Sequence, residues 1–139
     1  MAYTYDFNST HRLVIIRNAS SKWTGADILD SAEEIVADEQ FAPDYDWVYD
    51  LRFIHNTVIT VVEMEQIVER FRLYRNDGLV DEDSRSILVG TDENLHYTGT
   101  LYQKKSERAD DQFAIVETME EAREWLGLED TAAEIGLTQ

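Results

Sequence analysis

The residues of this chain able to do chemistry are three histidines, many carboxylates and one hydroxyl just ahead of a helix. His11, His55 and His96 fall on a turn, a loop after a strand and the start of a helix. No His-x-x-x-His or His-Glu-x-x-His spacing brings two imidazoles to one ion, so no metal site is expected. His55 has the most suggestive position, because loops after parallel strands face the ligand-binding edge of an α/β sheet. Asp81, Glu82 and Asp83 lack the alternating oxygen ligands and central glycine of a calcium loop and read as solvated. Without cysteine there is no thiolate nucleophile, disulfide or Cys-based metal site. No Gly-x-Ser-x-Gly elbow, Gly-x-Gly-x-x-Gly turn or P-loop is present. The expectation is a non-enzymatic protein with no catalytic residue and no cofactor.

The elements that must position these residues follow from apolar periodicity. Tyr3 to Phe7 alternates, Asn8-Ser9-Thr10 supplies a turn, and Arg12 to Arg17 is apolar at its centre, which predicts a β-hairpin with one edge strand. Ile28, Leu29, Ala32, Ile35 and Val36 recur at helical spacing behind Thr24, with Asp27 three residues on. The continuous run Trp47-Val48-Tyr49-Asp50-Leu51 predicts a strand covered on both faces. Thr60-Val61-Val62-Glu63 is a capping box, and Val61, Met64, Ile67, Val68, Phe71 and Tyr74 continue its helix to about Arg75. A short strand, Ile87 to Gly90, precedes a weaker helical pattern from Asn94 to Lys105, required as a crossover between parallel neighbours. Phe113 to Val116 is the last strand, and Thr118 with Glu121 caps a helix in which Met119, Ala122, Trp125 and Leu126 share a core-facing side.

At 139 residues and 43% hydrophobic, the chain suits one domain, residues 1–128, followed by an acidic C-terminal tail, residues 129–139, with a helical turn around Ala132 to Ile135. The fold class is α/β: a single small sandwich, with a mixed, mainly parallel sheet of about five strands and about four helices. Twelve basic against 29 acidic residues give a formal charge of −17, which repels phosphate backbones and anionic headgroups, so nucleic acid and membrane surfaces are poor partners. Met1 to Asp6 carries no signal-peptide pattern and no apolar run approaches the roughly 20 residues of a membrane span; a cytoplasmic location is expected.

The element order and the ending Thr118-Met119-Glu120-Glu121-Ala122-Arg123-Glu124-Trp125-Leu126-Gly127 resemble the SpoIIAA-like family of the STAS superfamily, as does the strand end Asp50-Leu51-Arg52. The resemblance covers roughly Tyr5 to Leu128 and implies a regulatory or protein-interaction module. In phosphorylated members the Asp-Leu strand leads to an Asp-Ser-Ser-Gly sequence whose serine accepts phosphate at a helix N-terminus. The corresponding stretch here is Val58-Ile59-Thr60-Val61, where Thr60 is the one hydroxyl and the acidic residue, serines and glycine are missing, so Thr60 reads first as an N-cap.

The candidate interaction or switch loop is therefore Arg52, His55, Asn56, Thr57 and Thr60, facing a protein partner. The alternative is a carrier domain for an apolar small molecule or lipid, similar to other members of that branch, with Phe53, Ile54, Tyr97, Tyr102 and Trp23 around an apolar cleft. The edge strand near Tyr3 to Phe7 and the surface of the last helix are available to a homodimer.

Overall fold

Three threonines each start a helix, and each does so with the same reciprocal pair of hydrogen bonds. Thr24 Oγ1 accepts from the amide of Asp27 at 3.2 Å while the Asp27 carboxylate accepts from the Thr24 amide at 3.0 Å, opening α1 (Gly25–Ala37). Thr60 and Glu63 do the same for α2 (Val61–Asn76), at 3.1 and 2.9 Å. Thr118 and Glu121 do so for α4 (Met119–Leu126), at 3.1 and 3.2 Å. Each box satisfies two amides that the first helical turn leaves unpaired. The remaining helix, α3 (Glu93–Ser106), begins on Asp92, whose carboxylate accepts from Leu95 at 3.1 Å.

The structure, a computed structural model, describes residues 3–128; the acidic tail and the turn expected around Ala132 to Ile135 lie outside the described residues. The strands are β1 (Tyr3–Asn8), β2 (Leu13–Asn18), β3 (Lys22–Thr24), β4 (Asp46–Asp50), β5 (Asn56–Val58), β6 (Ser86–Val89) and β7 (Phe113–Val116). Five of them form one sheet in the order β1-β2-β4-β6-β7. β1 is an edge strand and runs antiparallel to β2, with Tyr5 opposite Ile16 and Phe7 opposite Val14. The other neighbours are parallel, with Ile15 beside Val48, Val48 beside Ile87 and Leu88 beside Ile115. The expected α/β sandwich with a mixed, mainly parallel five-stranded sheet and four helices is the fold of the described residues.

Alternation along the central strands divides the core in two. Val14, Ile16, Trp47 and Tyr49 point to one face, where α1, α2 and α3 bring Ile35, Ile67, Phe71 and Leu95. Leu13, Ile15, Val48, Ile87 and Val89 point to the other, covered by Met119, Ala122 and Leu126 of α4. Trp47 anchors the larger cluster, edge-on to Phe41 and Phe71 with ring centroids 5.4 Å apart in each pair. Trp125, expected in the core with Met119, is instead half-buried at the margin of α4, where the Arg85 guanidinium lies 5.5 Å from its ring centre.

The sequence reading left out β3 and β5, a parallel two-stranded sheet with Trp23 beside Thr57. Three residues per strand are too few to leave a periodic signal. This small sheet sets the ends of two helices together, since Thr24 caps α1 directly after β3 and Thr60 caps α2 two residues after β5.

Candidate functional site

The segment singled out from sequence, Arg52 to Thr60, leaves the carboxyl end of β4 beside the end of β6, where Leu51 N–H donates to Val89 O at 2.8 Å. Its first anchor is electrostatic. Asp50, only 4% exposed, accepts from Arg52 Nε at 2.8 Å and from Arg52 Nη2 at 3.0 Å. Arg17 from β2 stands 3.8 Å from the same carboxylate and also pairs with Asp6 at 3.2 Å. A buried carboxylate needs such partners, and two guanidiniums supply them. The bond to Asp50 raises the Arg52 pKa above its ordinary value, against the opposing effect of burial. The Arg52 guanidinium also lies 5.6 Å from the ring centre of Phe53.

The second anchor is backbone. The amides of His55 and Asn56 both donate to Ser21 O, at 2.9 and 3.1 Å, just before β5 pairs with β3. These anchors separate the candidate residues. His55 and Asn56 are exposed, and Thr60 is exposed with its hydroxyl accepting from the helix. Thr57 is buried, because its side chain faces inward from β5, and so it offers no surface to a partner; its hydroxyl has no hydrogen-bond partner among the described residues.

The expected cleft residues divide in the same way. Tyr102 and Trp23 line an apolar cavity of about 60 Å³ between the sheet and the helices, together with Ile59, Ile67 and Leu95. Ile54 is buried outside it, while Phe53 and Tyr97 are 71% and 72% exposed and line no cleft. Phe53 stands within the turn Leu51–Ile54, closed by Ile54 N–H donating to Leu51 O at 3.3 Å, and Tyr97 lies two residues beyond inward-facing Leu95, which turns it outward.

Sequence periodicity missed a surface. Among the described residues seven large apolar side chains are exposed: Phe53, Val58, Val61, Val62, Leu73, Leu79 and Tyr97. Four of them fall in the ten residues from Phe53 to Val62. Val62 continues into a groove of about 460 Å³ between α1 and α2, where Leu29 and Leu73 are apolar and Glu65 and Glu69 are acidic. The signal was available in Val58, Val61 and Val62, apolar residues too close in sequence for all to face the core.

Among the described residues, no group of three or more His, Asp or Glu side chains is placed to hold a metal ion, and no helix is long and apolar enough to cross a membrane. Comparison with protein-family models, with curated proteins and with solved structures finds no match to this chain.

Proposed function

We propose that this chain is a non-enzymatic protein-interaction module of regulatory type, whose docking face is the segment from Phe53 to Val62 with the adjoining α1–α2 groove. The observation that carries the reading is the concentration of exposed apolar side chains there: Phe53, Val58, Val61 and Val62. Contiguous exposed apolar surface rimmed by charge is characteristic of protein contacts. Phe53 is held by its neighbours rather than free, which lowers the entropy lost on docking. The groove carries Glu65, Glu69, which pairs with Arg72, and Arg70, so its own charge is mixed; it is the −17 of the whole chain that favours a partner segment combining apolar side chains with lysine or arginine.

The resemblance to SpoIIAA-like proteins of the STAS superfamily supports the same reading, because its implied partner-facing loop is this segment. Thr60 enters as a cap rather than a phosphoacceptor. Its hydroxyl accepts the Glu63 amide, and a phosphate there would meet the Glu63 carboxylate 2.9 Å from the Thr60 amide.

A photo-crosslinking residue placed at Phe53 or Val62 in the native host tests the proposal. The expected result is one shared protein adduct from both positions, weakened by salt and absent from a probe at Thr4 on the far edge strand. Adducts that differ between the two positions, or that match the Thr4 pattern, would overturn it.

A further inference from the structure

Leu88 is less buried than its place in the sheet predicts. β6 lies between β4 and β7, and its residues Ile87 and Val89, which face α4, are both 0% exposed. Leu88 faces the opposite side, the one that carries three helices, yet it is only half-buried. It forms part of the floor of the apolar cavity of about 60 Å³, with Tyr49 beside it in register on β4 and Ser86 two residues earlier on β6.

The walls are Met64, Ile67 and Phe71 from α2, and Leu95, Thr98 and Tyr102 from α3. Gly99 explains why the space stays open. A Cβ there would lie 2.6 Å from Ile115 Cδ1 and 3.0 Å from Leu88 Cδ1, so α3 already touches the sheet and cannot settle further to close the gap beside it. Among the described residues no charged side chain lines the cavity, and the Thr98 hydroxyl donates to Asn94 O. A charged guest would be left without a partner, and a water would lack the roughly two to four polar contacts it needs.

We propose that this cavity is a preformed binding site for a small, uncharged, apolar molecule. At about 60 Å³ it is less than half the roughly 150 Å³ that accommodates benzene in an engineered protein cavity, so about two to three heavy atoms fit and an acyl chain does not. The guest gains dispersion contacts with side chains that otherwise face empty space, among them Leu88, Ile67 and Leu95. This site is independent of the docking face and stands or falls without it.

Xenon and dichloromethane are the probes; formamide is a polar control with as many heavy atoms as dichloromethane, and benzene is an oversized one. Added to the full chain, both probes are expected to give saturable shifts of the Ile59, Ile67 and Leu95 methyl resonances, and none at Leu13 or Ile15 across the sheet. Dichloromethane should bind about tenfold or more tightly than formamide, whose amide would lose its hydrogen bonds to water. Benzene should give no saturable shift. Leu88→Phe, which fills the space from the floor, should abolish the shifts. Should that variant fail to fold, Ser86→Val, which puts a β-compatible apolar side chain on the same floor, should abolish them by itself. Absence of saturation by either probe, matching shifts at Leu13 and Ile15, equal binding of formamide and dichloromethane, saturation by benzene, or xenon binding that survives the substitutions would each overturn the proposal.

Discussion

Arg52 grips Asp50 with two nitrogens, at 2.8 and 3.0 Å, and the same guanidinium lies against the ring of exposed Phe53. One ion pair thus ends the central strand and aims the residue that follows. Removing the Arg52 side chain leaves a nearly buried carboxylate with Arg17 at 3.8 Å and the backbone amide of residue 52 at 3.4 Å. Loss of one partner from a fully buried pair costs roughly 3–5 kcal/mol; with Arg17 and some solvent still available, Arg52→Ala should cost about 2 kcal/mol. Asp50→Asn, which removes the buried charge itself, should cost less. Urea unfolding of both variants checks the order, and an Arg52→Ala midpoint equal to wild type would remove the anchor from the account.

Phe53 should behave oppositely to the core aromatics. At 71% exposure it contributes little to folding, so Phe53→Ala should change stability by less than about 0.5 kcal/mol while abolishing the crosslinked adduct. Trp47→Ala, which empties the centre of the larger cluster, should cost about 3–5 kcal/mol. Thermal melts of the two variants alongside partner binding separate a docking residue from a packing one.

At Thr60 two substitutions distinguish a cap from a switch. Thr60→Ala deletes the acceptor for the Glu63 amide and should cost about 1 kcal/mol. Thr60→Asp keeps a good capping acceptor and should leave stability within about 0.5 kcal/mol of wild type. Chemical denaturation gives both numbers. If Thr60→Asp leaves stability intact yet releases the partner, the hydroxyl belongs to a charge-sensitive contact and not to the cap alone.

The sequence was most legible where local chemistry and core burial agree. Thr24, Thr60 and Thr118 each stand three residues before a carboxylate, and each opens a helix as expected. α3 was harder to read because Thr98, Gly99 and Thr100 weaken helix propensity, yet Gly99 is the position that lets the helix approach: a Cβ there would meet Ile115 Cδ1 at 2.6 Å. The candidate loop was located but its parts were mixed. Nothing local distinguishes exposed Asn56 from buried Thr57, since that difference arises from β5 pairing with a strand thirty-four residues earlier, Trp23 beside Thr57.

Gly90 marks where the end of β6 passes the backbone after β4. A Cβ at this position would lie 2.8 Å from Leu51 O, a carbonyl that cannot swing aside as a side chain would. Gly90 N–H also donates to Val116 O at 2.9 Å, so the segment is held from both sides. Gly90→Ala should therefore destabilise by about 1–3 kcal/mol through overpacking, despite the entropy that alanine removes from the unfolded chain. Calorimetry of the variant measures this, and an unchanged or raised melting temperature would contradict the close approach.

Alkaline pH should unfold the protein through two tyrosines. Tyr49 is buried in the larger core, and burial first, with smaller effects from Tyr102 and Tyr74, pushes its pKa far above the ordinary range. Tyr102 is raised by burial too, although Arg75, Arg108 and Ser106 pull against it. Both groups hold their protons more tightly folded than unfolded, so the stability they contribute is fully present below the unfolded value of about 10 and is lost as pH rises above it. The urea midpoint should be level between about pH 7 and 9, as far as these groups are concerned, and should fall beyond about pH 10. Absorbance at the phenolate band should show the ionisation of Tyr49 and Tyr102 coinciding with loss of structure. Tyr49→Phe removes one of the two groups, so its midpoint should fall less steeply over the same range. Reversible ionisation of Tyr49 and Tyr102 at about pH 10 in the folded protein would show that neither hydroxyl is shielded by the packing of α2 and α3 on the sheet.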